Sequence, residues 1–156
     1  MEKIRIVEIP AGKVISSGSI NMGDKTMVQF IKIVEGKHNK DIFPRDFLSF
    51  NPQTKKFIWY VSVMNLDVND IDTGGFEIID FEGGFYAMAA AIDTGDDPGS
   101  LDKTQQEIEE WVRQSNHFEL DLENRQRMTQ MPAPQTKKIM GYAQLDVFVP
   151  IKVKNQ

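Results

Sequence analysis

Apolar residues along this chain change period several times, and each change marks an element. Ile4, Ile6, Val7 and Ile9 predict a half-buried strand over residues 3–9, broken by Pro10-Ala11-Gly12 and resumed over residues 13–17. Met27, Phe30, Ile31 and Val34 then fall at i, i+3, i+4 and i+7, the stripe of a helix packed on one face. Asp24 or Thr26 is placed to cap that helix and Gly36 to end it. Residues 47–50, an Asn51-Pro52 turn and residues 57–64 read as a hairpin in which Phe57, Trp59, Val61 and Val63 share one face. After a polar connection over residues 65–75, strands are expected at 77–81 and 85–92, with a Glu82-Gly83-Gly84 kink between them. Ser100 is placed to cap a second helix whose face carries Leu101, Ile108, Trp111 and Val112, with Glu109 and Arg113 as an exposed i, i+4 pair. The closing strands are expected at 125–131 and 139–151, with Pro150 near an edge or end.

Superposed on this pattern is a duplication. Pro52-Gln53-Thr54-Lys55-Lys56 and the following Tyr60 recur as Pro134-Gln135-Thr136-Lys137-Lys138 and Tyr142, at an offset of 82 residues. Upstream, Ile4 to Gly12 is echoed by Phe76 to Gly84, with acidic residues and a glycine at matching places. One helical pattern lies between the members of each pair, so the repeated unit reads strand, helix, strand, strand. The expectation is a single α+β domain over residues 1–156, with antiparallel sheet and two pseudo-twofold copies, about 1–64 and 76–153, joined by the linker 65–75. Such a pair has a natural central groove along its axis.

Composition narrows the function. With 156 residues, 40% of them hydrophobic, the chain is the size of one domain and can bury a sizeable core. It has no cysteine, which excludes thiol nucleophiles, Cys-ligated zinc and disulfides. The first residues lack the apolar core of a signal peptide and no apolar stretch reaches membrane-spanning length, so a cytoplasmic protein without membrane contact is expected. A net charge of −5 argues against direct nucleic-acid binding, and the doublets Lys55-Lys56 and Lys137-Lys138 read as solvated turn charges.

Chemistry is sparse. There is no nucleophile elbow, P-loop, dinucleotide fingerprint or H-E-x-x-H helix, so no cofactor is implied. His38 and His117 each fall near the C-terminus of an expected helix, where a histidine meets terminal carbonyls. Asp70, Asp72 and Gly75 mimic the start of a calcium loop, but Gly74 and Phe81 occupy places that need oxygen ligands, so no metal is expected. What remains suits a ligand cleft: Trp59, Tyr60, Tyr86, Trp111 and Tyr142 offer flat faces, Met64 and Met128 adaptable thioethers, and Glu82, Glu123 and Asp46 charge. The same aromatics also serve ordinary cores.

Gly84-Phe85-Tyr86-Ala87, then Glu110-Trp111-Val112 on a helix, then the closing Asp146-Val147-Phe148-Val149-Pro150-Ile151-Lys152, resemble the GyrI-like domain, also met as the effector-binding domain of bacterial transcription activators. The resemblance spans nearly the whole chain. It implies two strand-helix-strand-strand modules with a groove for aromatic or cationic small molecules, and relatives that include drug-sensing domains, a gyrase-binding inhibitor and hydrolases of cyclopropane-bearing genotoxins. Trp59, Tyr86, Trp111, Gln126, Met128 and Tyr142 are the expected ligand contacts. Gln126 stands where the family's ligand-facing glutamate is expected, so the charge that favours a cation is missing unless Glu123 or Glu82 reaches the same space. No helix-turn-helix is evident in these residues. The leading expectation is therefore a non-enzymatic, effector-binding type of protein for aromatic or drug-like ligands. Hydrolysis of a strained electrophile, with Glu82 or Glu123 as the catalytic acid, is the alternative, and interaction with a protein partner is a third.

Overall fold

The computed structural model describes residues 3–21, 23–38, 46–63, 72–94, 99–130 and 134–155. The alternating segment near the start becomes two strands, β1 (Arg5–Ile9) and β2 (Gly12–Ser16), separated at Pro10-Ala11. Next come helix α1 (Lys25–His38), strands β3 (Asp46–Asn51), β4 (Lys56–Ser62), β5 (Glu77–Phe81) and β6 (Gly84–Asp93), and helix α2 (Ser100–Gln114). Strands β7 (Phe118–Leu120) and β8 (Met128–Gln130), helix α3 (Pro134–Met140) and strand β9 (Ala143–Val153) complete the chain. Every strand pair named below is antiparallel.

The chain divides into two units, residues 10–83 and residues 1–9 with 84–156. In the first, the strands run β5-β2-β4-β3, and α1 lays its stripe on one face: Phe30 and Val34 meet Ile15, Val61 and Val63 in a dry core edged by Ile33, Trp59 and Ile78. In the second, the strands run β1-β6-β9-β8, with β7 also pairing β9, and α2 presses Ile108 and Val112 onto Ala87, Ala89, Val147 and Val149. Small alanines on β6 let the helix approach closely, and burial of these aliphatic side chains is the main favourable term in each unit. Both units therefore build the same motif, strand, helix, strand, strand, in the same lateral order. Each also takes its fourth strand from the far half of the sequence. Strand β1 pairs β6, from Arg5 opposite Met88 to Ile9 opposite Gly84, and β5 pairs β2, from Gly12 opposite Phe81 to Ser16 opposite Glu77. The two echoed segments have exchanged partners, and both ladders keep one register.

Several sequence expectations are corrected. The second Pro-Gln-Thr-Lys-Lys copy is neither turn nor strand edge: Pro134–Met140 is a helix, so the expected strands 125–131 and 139–151 shrink to β8 and β9. In the first copy, Asn51 builds a turn, its Oδ1 accepting from the amides of Gln53 (2.9 Å) and Thr54 (3.3 Å), while Lys55 takes φ 57°. At the matching place of the second copy the sequence has Ala133, which offers no such oxygen, and Pro134 suits the first position of a helix. Gly141, at φ 81°, then closes α3 by donating its amide to the Lys137 carbonyl. Gly36 does not end α1, which continues to His38, and Asp24 is its cap, its Oδ1 accepting from the Thr26 amide at 3.1 Å. Ser100 is the first residue of α2 and makes no side-chain cap. Pro150 lies inside β9, a strand paired on both sides; its missing N–H falls where the β8 ladder, ending at Phe148, gives way to the β7 ladder, beginning at Ile151. Most of the expected linker, and Met64, lie outside the described residues. Among the described residues, no helix is long and apolar enough to cross a membrane.

Candidate functional site

The second unit's sheet has two faces, one under α2 and one turned away from it. On the far face, Met88 of β6 and Met128 of β8 both stand opposite Phe148 of β9, and Tyr86 meets the Phe148 ring edge-on at 6.2 Å. Tyr86 and Met128 are thus neighbours of one aromatic, and both are buried. Above Tyr86 lies a side chain that no motif announced. The Arg125 guanidinium sits 4.8 Å from the ring centroid, and Nε donates to Asp121 Oδ2 at 3.0 Å. Its Nη1 donates to the Phe85 carbonyl at 3.0 Å and Nη2 to the Ile151 carbonyl at 2.6 Å. Gly84 makes room for it, since a Cβ there would lie 2.6 Å from Nη1 and the residue has φ 124°. Burial works against the charge on Asp121, but hydrogen bonds from Asn124 and Arg125, with the positive charges of Arg125 and Lys152, outweigh it and hold the carboxyl below the usual carboxylate range. The only sequence signal for this cluster is the Asp121/Arg125 spacing of four, ordinarily a surface pattern. Glu109, expected to be exposed, is buried as well and takes Arg127 at 2.5 Å and Arg113 at 3.3 Å.

In the first unit, Trp59 belongs to the α1 side. Its ring leans on Phe30 at 5.8 Å, and its indole N–H donates to Asp46 Oδ2 at 3.0 Å, which employs the buried Asp46 in structure. On the opposite face Phe47 stacks on Phe81 at 6.4 Å and Tyr60 leans on Phe81 at 6.3 Å, and burial pushes the Tyr60 hydroxyl pKa upward.

Open space lies beside Trp111. The β1 ladder stops at Arg5 opposite Met88, so β6 continues past it. There a cavity of about 490 Å³ opens between α2, β6 and the start of the chain. Ile4, Ala89, Ala90, Ile92, Ile108 and Trp111 give it an apolar wall. Lys3, Lys103 and Glu107, with the hydroxyls of Ser100 and Thr104, supply its polar groups. Trp111 is half-buried and also packs on the α2 core. A volume of this size, mostly apolar with a few polar groups, matches small-molecule sites in general.

The remaining expected residues lie apart from that cavity. Gln126 and Glu123 are exposed in the connection between β7 and β8, Glu82 is exposed at the kink between β5 and β6, and Tyr142 is half-buried just before β9. Among the described residues no group of three or more metal-binding side chains clusters.

Two units of one strand-helix-strand-strand topology fit a GyrI-like fold, the fold that the sequence resembles. No protein-family model and no curated protein matches the chain in sequence, whereas solved structures match its fold. One is SAV2435 bound to tetraphenylphosphonium, 13% identical, with a TM-score of 0.59 over 97% of this chain and 94% of that one. Another is the EcmrR C-terminal domain, 11% identical, with a TM-score of 0.63 over 96% of each chain. A hydrolase from Listeria innocua is 10% identical, with a TM-score of 0.65 over 96% of this chain and 92% of that one.

Proposed function

We propose that this chain is a small-molecule binding protein of the effector-binding type, taking aromatic or drug-like ligands. The observation that carries this reading is the cavity of about 490 Å³ with Trp111 in its wall. An indole face next to aliphatic side chains offers a planar ligand stacking and desolvation together. One neighbour in fold supports it: SAV2435 was solved with tetraphenylphosphonium, an aromatic cation. The expected contacts Trp59, Tyr86, Gln126, Met128 and Tyr142 stay part of the proposal as secondary candidates, behind Trp111.

A panel of planar aromatic compounds tested by thermal shift should yield stabilisers, because a ligand that binds only the folded state raises apparent stability. Thr104→Trp, at a half-buried position of α2 that lines the cavity, should abolish the shift while leaving the unliganded protein folded. No stabiliser in a broad panel, or a shift unaffected by Thr104→Trp, overturns this site. The Listeria innocua neighbour described as a hydrolase motivates a second readout. Incubation with a cyclopropane-bearing electrophile, followed by mass spectrometry, distinguishes turnover from sequestration: product beyond one equivalent of protein would make this an enzyme.

A further inference from the structure

The charges around the cavity do not follow the charge of the protein. The chain carries −5, yet the cavity gathers two ammonium groups, Lys3 and Lys103, against one carboxylate, Glu107. Among the described residues, no ion-pair partner is assigned to any of the three, in contrast to Arg113, Arg125, Arg127 and Lys152, which are all paired. Lys103 and Glu107 are four apart on α2, but with the lysine N-terminal, the weaker orientation for such a pair. Both lysines are therefore available to a guest. Charge elsewhere on the surface matters little, because exposed charges are screened over about 8 Å at physiological salt.

We infer that the cavity selects planar aromatic anions, such as aryl carboxylates, over cations of the same shape. Trp111 and Ile108 hold the ring, Lys3 and Lys103 flank the carboxylate, and the Ser100 and Thr104 hydroxyls lie on the same lining. Thr104 already donates its hydroxyl proton to the Ser100 carbonyl at 3.0 Å, so the acid's contacts come from the lysines and from Ser100. The inference rests on the small-molecule reading of this cavity and adds the sign of the ligand to it.

The test uses three ligands with one ring system, 2-naphthoate, 2-naphthamide and 2-naphthylmethylammonium, titrated calorimetrically into the full chain at neutral pH. Naphthoate should bind about five- to tenfold tighter than the amide, as solvent-exposed pairing permits, and the ammonium should bind weakest. Raising salt should narrow the gap between naphthoate and amide. Lys3→Gln with Lys103→Gln should erase the gap while the amide affinity stays put, and Glu107→Gln should widen it. Equal or tighter binding of the ammonium, or a gap that survives the double lysine variant, overturns the inference and leaves the binding site standing. Absence of binding by all three ligands overturns both.

Discussion

The same five residues, Pro-Gln-Thr-Lys-Lys, close a tight turn in one unit and open a helix in the other. Both copies connect the second and third strands of the motif, β3 to β4 and β8 to β9, so their topological place is shared while their conformation is not. The two copies differ in the residue just ahead of each, and the second also has a glycine three residues after its end. Asn51 holds the first by its side-chain oxygen; the second has Ala133 before it and Gly141 to cap it. A short sequence identity thus fixed a position in the motif, and its flanks chose the backbone. The units differ similarly in what secures them. One hangs Trp59 on Asp46 and Phe30, whereas the other clamps β6, β9 and the turn after β7 together through Arg125.

The largest effect should come from that clamp. Arg125→Ala strands the Asp121 carboxylate and two carbonyls, and should cost about 3–5 kcal/mol in urea unfolding. A loss below about 1 kcal/mol would show that the guanidinium secures nothing. Next, the two tryptophans should separate. Trp59→Ala removes a core ring and the donor to buried Asp46, costing about 3 kcal/mol, whereas Trp111→Ala should cost less and weaken aromatic ligands at least about tenfold. Equal stability losses with ligand affinity intact would place Trp111 in the core alone. Third, Asn51→Ala gives the first copy the residue of the second and should cost about 1 kcal/mol by removing the turn acceptor. A gain of helical circular dichroism in that variant would mean that flanks alone select the conformation.

Within the second unit two aspartates should respond to acid in opposite directions. The folded-state pKa of Asp121 lies below its unfolded value, so its contribution is complete above the unfolded value of about 4 and is lost as pH falls through the folded one. Asp146 is pushed up by burial, against the opposing charge of Arg5. Its contribution is present below the unfolded value and is lost as pH rises through the folded one, so Asp146→Asn should stabilise the protein at neutral pH and make no difference near pH 3. Melting temperatures across that range check both signs. The smallest effect belongs to Gln126→Glu, which changes an exposed side chain and should shift stability by less than about 0.5 kcal/mol.

Local pattern was a good guide to local structure. Phe30 and Val34 of the stripe and the alternation Trp59, Val61, Val63 placed α1 and β4 on the right faces, because periodicity reports which side of an element is dry, although Ile33 packs there where the stripe had Ile31. It does not report partners: alternation in Arg5–Ile9 is the same whether that strand pairs β2 or β6. Charge misled more than apolarity. Glu109, Asp121 and Arg125 have the four-residue spacing of solvated pairs, and only the long-range contacts with Arg127, Phe85 and Ile151 make their burial affordable. Of the residues lining the candidate cavity, Trp111 was singled out through the family resemblance, whereas Lys3, Lys103 and Glu107 were not, because nothing along the chain connects residue 3 with residue 103.

The exchange of first strands also sets a timetable for synthesis. Once Arg5–Ile9 has left the ribosome, Ile9 has no partner until Gly84, 75 residues later, has emerged. At elongation rates of about 5–20 residues per second, the segment waits about 4–15 s, while every strand and the helix of residues 10–83 are already available to pair. A bare β-edge of that kind invites aggregation. Arg5 and Glu8 are exposed and put opposite charges near its two ends, and charges on an unpaired strand oppose edge-to-edge association.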